Sequence, residues 1–145
     1  MSSLGVRTAI TAAVTTASAP LPVFDLSDFV TLEDCLSQID SQCILIQYVT
    51  SGERIASIGG EGNQGWEEDG TAVLHYAVPT GFESDPVVTK GDEIRVQLRG
   101  KRLTSDLTIE ACEPFSDFGG GSSGIGSGAW HLWSSLLYYV NRECG

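Results

Sequence analysis

Positive charge is what this sequence has least of: 8 Lys and Arg stand against 19 Asp and Glu, a formal net charge of -11 over 145 residues. A protein that coats nucleic acid regardless of sequence needs surplus cations to displace the phosphate counterions. An anionic membrane surface makes the same demand. Both classes are excluded, whereas a protein that must avoid sticking to DNA is not. Long apolar runs are also missing, with no stretch of about 20 residues that would span a bilayer. Histidine occurs only as His75 and His131. The four cysteines, Cys35, Cys43, Cys112 and Cys144, form no CxxC pair and have no histidine at metal-ligand spacing. They are too sparse for a disulfide scaffold, so free thiols in a reducing cytoplasm are expected, with one disulfide among them left open.

Catalytic signatures are missing as well. No G-x-S-x-G elbow presents a serine. Gly119-Gly120-Gly121 and Gly124-Ile125-Gly126 lack the Lys and Ser/Thr of a phosphate loop and lead into a Trp-rich strand, so a connector is expected there. Asp25, Asp28, Glu33 and Asp34 have neither the spacing nor the glycine of a calcium loop, which leaves turn formation, capping and surface charge. Glu67-Glu68-Asp69 is read as a solvated or subunit-facing run, and both histidines as hydrogen-bonding residues within strands.

What is present suffices for one packed domain. Hydrophobic residues make up 41% of the chain and charged ones 19%, unlike a disordered acidic tail. Val6, Ile10, Ala13, Val14 and Ala17 recur at helical spacing over residues 3–17, ended by Pro20 and Pro22. The first segment is read as this helix and not as a signal peptide, because its apolar stretch is rich in Thr and Pro20 would follow the cleavage site. Residues 23–29 start extended and then turn, and a helical turn is expected over 31–38. Residues 43–49 are apolar on both faces, as in a buried strand. A turn at 50–53 and a short strand at 54–58 complete a predicted hairpin, followed by a Gly-rich loop at about 59–66. A strand at 71–78, a helix from Pro86 to about Arg99 with Val87, Ile94 and Leu98 inward, and a strand at 107–113 come next. In that strand Leu107, Ile109 and Ala111 alternate with Thr108, Glu110 and Cys112. Gly91 is the weak point of the second helix. A second Gly/Ser loop covers 116–128 before a last strand at 130–142. The expected fold is α+β: a single domain with a mainly antiparallel sheet of about five strands, flanked by two or three helices.

Two features go beyond a plain globular domain. Five of the eight cations, Lys90, Arg95, Arg99, Lys101 and Arg102, fall in the second helix and its exit. Arg95, Arg99 and Arg102 are spaced to share a helical face, a stripe that an identical acidic neighbour would bind. The last strand is apolar on both sides, with Trp130, Leu132, Leu136, Tyr138 and Val140 on one and Trp133, Leu137 and Tyr139 on the other. One side serves the core, and the other must meet a helix, a second sheet or another subunit.

Several segments carry a family resemblance. Pro22-Val23-Phe24-Asp25-Leu26-Ser27-Asp28-Phe29, Ile46-Gln47-Tyr48, Ser57-Ile58-Gly59, Gly62-Asn63-Gln64 and Trp66-Glu67-Glu68 belong to the set. So do Pro79-Thr80-Gly81-Phe82, Arg99-Gly100-Lys101-Arg102, Pro114-Phe115-Ser116-Asp117-Phe118 and Trp133-Ser134-Ser135-Leu136-Leu137-Tyr138-Tyr139. Over nearly its whole length the chain resembles the small tail-terminator proteins of long-tailed bacteriophages. The resemblance implies a structural virion protein with one sheet and flanking helices, assembled in the host cytoplasm as a hexameric ring at the neck of the tail. Such a ring binds the tail tube protein, ends tube growth and offers its other face to a head-closure or connector protein. It implies no catalytic residues, metal, cofactor or membrane contact. Arg95, Arg99, Arg102, Trp130, Trp133 and Tyr139 are the candidates for subunit interfaces. Asn63, Gln64, Trp66 and Phe118 are the candidates for loops touching tube or connector. Six copies would carry a formal charge of about -66 around a lumen through which DNA passes without specific binding. The competing expectations are another neck or tail component, a small hydrolase using the Asp25/Asp28 region, and a secreted binding module with oxidised cysteines.

Overall fold

The computed structural model describes residues 4–28, 42–57, 65–79, 84–117 and 130–144. Within these the chain forms two helices and one six-stranded, mostly antiparallel sheet. Helix α1 spans Leu4–Ser18 and buries Val6, Ile10, Ala13, Val14 and Ala17, the stripe its periodicity marks. A cis Ala19–Pro20 bond follows it. Strand β1 (Val23–Asp25) leads into a 3-10 turn at Leu26–Asp28. Strands β2 (Cys43–Ser57) and β3 (Gly65–Pro79) form the long hairpin. Helix α2 (Ser84–Leu98) precedes β4 (Leu107–Cys112), the short β5 (Ser116–Asp117) and the long β6 (Trp130–Cys144).

The strand order is β1-β2-β3-β6-β4, with β5 on the same side of β6 as β4. Only β1 runs parallel to its neighbour, pairing Val23, Phe24 and Asp25 with Ile44, Leu45 and Ile46. Both helices lie on one face. There Ile10, Val14, Val87, Ile94 and Leu98 pack on Ile44, Ile46, Leu74, Tyr76, Ile109, Leu137 and Tyr139. The opposite face has a small cluster at one end, where Phe24, Leu26 and Leu132 surround Cys43, Leu45, Ala77 and Trp130.

The expected α+β domain is present, and four local expectations need correction. Residues 50–53 are not a turn: β2 runs on through them, and a register shift between Tyr48 and Thr50 absorbs the irregularity as a bulge. The strand expected at 54–58 is therefore the second half of β2, and its partner is β3. Strand β3 starts at Gly65, six residues before the expected 71, so Trp66 is a strand residue and not part of the Gly-rich loop. In β4 a register shift between Ile109 and Ala111 returns Cys112 to the core while Ala111 is only half-buried. Ser116–Asp117, expected to open the second loop, pairs with Ser134 and Trp133. The helical turn expected at 31–38, and most of the two Gly-rich loops, lie outside the described residues.

Length decides what the helices leave uncovered. Each long strand has 15 residues, about 50 Å, and each helix also has 15, about 22 Å. The core therefore sits under one half of the sheet. The outer halves of β2, β3 and β6 continue past it as a three-stranded arm.

Candidate functional site

Helix α2 carries most of the basic residues. Val87, Gly91, Ile94 and Leu98 face the core, and Gly91 lies against the Phe115 ring. Lys90 Nζ donates to the Ala19 carbonyl, 2.9 Å away, just beyond the end of α1, where the helix dipole favours a cation. Arg95 lies 3.8 Å from Asp92 in a loose ion pair one turn apart. The helix ends at Leu98, and Gly100, at φ 71°, turns the chain in the left-handed region that favours glycine.

That ending splits the expected stripe. Arg95 and Arg99 share the helix face, but Arg102 lies beyond it, bridged to Thr108 at the outer side of β4. Its guanidinium donates to the Ser105 carbonyl at 2.6 Å. Arg99 and Lys101 are exposed, and neither forms an ion pair with any described residue. The free part of the basic group is thus Arg99 with Lys101.

The last strand separates its two faces as expected, but the face chosen for the core differs from the interface assignment. Trp133 packs against the helix-side core and stacks on His131 at 5.3 Å. Tyr139, only 1% exposed, is fully buried there, so it has no surface to offer a partner. Trp130 is 7% exposed in the small cluster on the other face. Of the residues of β6 on that face, Leu132, Leu136 and Tyr138 are half-exposed, and Leu132 joins the cluster, which leaves Leu136 and Tyr138 beyond it. Neither ranked as an interface candidate, because a sequence does not say which side of an apolar strand the helices take.

The open face has a polar centre and a cleft. His75 and Ser134 are directly paired across β3 and β6, and His75 Nδ1 accepts from Ser134 Oγ at 2.7 Å. The ring's Nε2 donates to Gln47 Oε1 of β2 at 3.1 Å. Burial pushes the imidazole down to about 4, so it is neutral at pH 7. Ser134 is itself buried, and an imidazole this weak is a poor base, so the pair ties three strands together. Beyond it, toward the arm, an open cleft of about 400 Å³ is lined by Gly52, Asp69, Thr71, Glu110 and Tyr138. Tyr138 donates to Glu113 at 3.3 Å beside it.

The acidic residues expected at the surface divide into two kinds. Asp25 accepts from Arg7 Nη2 at 2.7 Å and from the Ser27 amide and hydroxyl at 2.9 and 2.8 Å. Burial alone would raise its carboxyl, but the bonds from Ser27 and Arg7 outweigh that and hold it below 3.8. The Arg7 guanidinium also donates to Ser27 and lies 5.1 Å over the Tyr48 ring. Burial pushes the Tyr48 phenol up to about 12, so it stays protonated and donates to the Arg7 carbonyl. Asp25 is thus a structural carboxylate. Of the two readings given to Glu67-Glu68-Asp69, solvated or subunit-facing, Glu67 departs from the solvated one: its side chain is 8% exposed and accepts from Arg142 Nε at 2.9 Å. Asp69 and Glu110 are exposed, and neither has an ion-pair partner among the described residues.

Trp66, 38% exposed, stands on the arm. Asn63, Gln64 and Phe118 lie outside the described residues. Cys43 and Cys112 are buried, and Cys112 is a free thiol. Burial raises the Cys112 thiol. Among the described residues no group of three or more His, Cys, Asp or Glu is placed to hold a metal ion, and no helix is long and apolar enough to cross a membrane. In comparison with known proteins, the chain matches no family model and no curated protein.

Proposed function

We propose that this chain is a structural protein of a long-tailed bacteriophage that forms a ring at the head-proximal end of the tail. There it ends polymerisation of the tail tube and joins the tail to the head connector. The observation that carries this is the one-sided layering among the described residues: both helices cover one face of the sheet, and neither covers the other face or the long arm. That layering agrees with the single sheet and flanking helices implied by the family resemblance. A head-to-tail contact between identical copies closes into a ring when its rotation completes a circle. Growth stops when such a ring matches the tube on one side only. The net charge of -11 per chain suits a conduit whose walls must not hold the passing phosphates.

Deleting the gene from the phage and viewing lysates by negative stain tests the proposal. Tails of uncontrolled length, accumulating beside unattached heads, are the expected result. Tails of normal length overturn it. Tails of normal length that fail to join heads overturn the terminating role and point to a head-closure component.

A further inference from the structure

The chain's exposed charges without an ion-pair partner among the described residues include one basic pair and two carboxylates from different elements. Arg99 and Lys101 follow the end of α2, where the Lys101 carbonyl accepts from the Ile109 amide at the edge of β4, and both side chains are exposed. Asp69 and Glu110 flank the cleft on the open face, and both are exposed as well. None of the four forms an ion pair with any described residue. A chain therefore leaves both groups without an ion-pair partner among its own described residues. We propose that the open face is the docking surface for a second copy of this chain, whose Arg99 and Lys101 enter the cleft between Asp69 and Glu110.

The chemistry of the cleft fits that occupant. A guanidinium is planar, forks onto a carboxylate and stacks on an aromatic ring. The cleft offers two carboxylates and the half-exposed Tyr138, whose hydroxyl is held by Glu113. Gly52 opens room on the β2 side because it carries no side chain. Half-exposed Val73 and Leu136 adjoin it on the same face and supply apolar surface. Chains with a net charge of -11 repel one another at a distance, so lasting contact needs local complementarity of this kind.

Because the donor surface and the receiving surface differ, the contact is head-to-tail and propagates to a third copy. The inference rests on the ring-forming reading above and adds which surfaces meet.

Two charge reversals test it. One variant combines Asp69→Lys with Glu110→Lys, and the other combines Arg99→Glu with Lys101→Glu. All four side chains are exposed, so circular dichroism should show unchanged folds and melting temperatures. The wild-type chain should self-associate in native mass spectrometry and sedimentation at low salt, and less so at high salt. Each variant alone should associate at least about tenfold more weakly, since every junction then brings like charges together. Mixing the two should restore assembly with alternating copies, because each reversed surface finds a complementary partner. Carbodiimide treatment of mixed light- and heavy-isotope wild-type chains should join Lys101 of one isotope to Asp69 or Glu110 of the other.

The inference is overturned by a wild-type chain that stays monomeric without such cross-links, by a reversal that assembles like wild type, or by a mixture that stays dissociated. Its failure is separable from failure of the functional proposal. Assembly through this interface with normal tail length in the deletion phage sinks only the function. Lost length control together with reversals that assemble normally sinks only the interface.

Discussion

His75 and Ser134 face each other across β3 and β6 in a 2.7 Å hydrogen bond that uses the neutral imidazole as acceptor. Burial disfavours the charged ring and lowers the group to about 4. The unfolded chain takes up this proton near 6.5, so between 6.5 and 4 the unfolded state binds more protons than the folded one. Stability from this residue is therefore full above 6.5 and falls as pH drops toward 4, by on the order of 3 kcal/mol. Urea unfolding across that range should show the decline, and His75→Gln should flatten it. An imidazole titration by NMR with a midpoint near 6.5 would falsify the assignment.

Gly91 is better than alanine where it stands. Alanine ordinarily gains about 1 kcal/mol over glycine inside a helix. Here an added Cβ would lie 2.9 Å from Phe115 Cδ1, with two further atoms of that side chain within 3.3 Å. The ring, itself buried, would have to move as a whole. Gly91→Ala should therefore destabilise by about 1–2 kcal/mol net, the overpacking cost exceeding the propensity gain. In a Phe115→Leu background the same change should become neutral or stabilising. A rise in the denaturation midpoint of Gly91→Ala alone would show that α2 sits farther from Phe115.

The two helices and the apolar strand at 43–49 were legible because their signals are local: a stripe at three- and four-residue spacing, and a run apolar on both faces. The arm was not. Glu67-Glu68-Asp69 reads as a solvated or subunit-facing run until Arg142, 75 positions away in the chain, supplies the partner that lets Glu67 be buried in a strand. Bulges have the same character, since the shift at Ile109/Ala111 is set by pairing with β6 and inverts the alternation that the sequence alone implies. The basic group was visible as a cluster, but Gly100 decides that Arg102 leaves the helix. The cleft was invisible because its walls come from four strands.

Arg7 links α1 to both β1 and β2 through Asp25 and Tyr48. Removing it as Arg7→Ala should cost about 1–3 kcal/mol, the range for a hydrogen bond to a charged partner. The Asp25 carboxyl should then titrate at higher pH than in the wild type, having lost one of the groups that hold it down. For a lowered carboxyl the stabilising contribution is complete above 3.8 and lost as pH falls through the folded value, which separates this window from that of His75. Acid unfolding of Arg7→Ala should begin at higher pH than that of wild type. Superimposable acid transitions would remove the pair from the stability of the fold.

The arm has its own local anchor in Glu67 and Arg142, directly opposed on β3 and β6. Their exposures are unequal, 8% for the glutamate side chain and 64% for the arginine, so the two are not equivalent targets. Arg142→Ala takes a donor from a carboxylate that stays buried, whereas Glu67→Gln removes the charge and keeps an amide oxygen to accept. Arg142→Ala should therefore loosen the arm more than Glu67→Gln does. Because the exposed arginine is screened by solvent, global stability should fall by no more than about 1 kcal/mol. The larger effect should be local, in segments that lie outside the helix-covered core and can open without global unfolding. Hydrogen exchange read by mass spectrometry should show faster exchange over residues 65–70 in Arg142→Ala, with residues 72–78 unchanged. Equal acceleration of both stretches would mean that arm and core open together and that this pair does not hold the arm by itself.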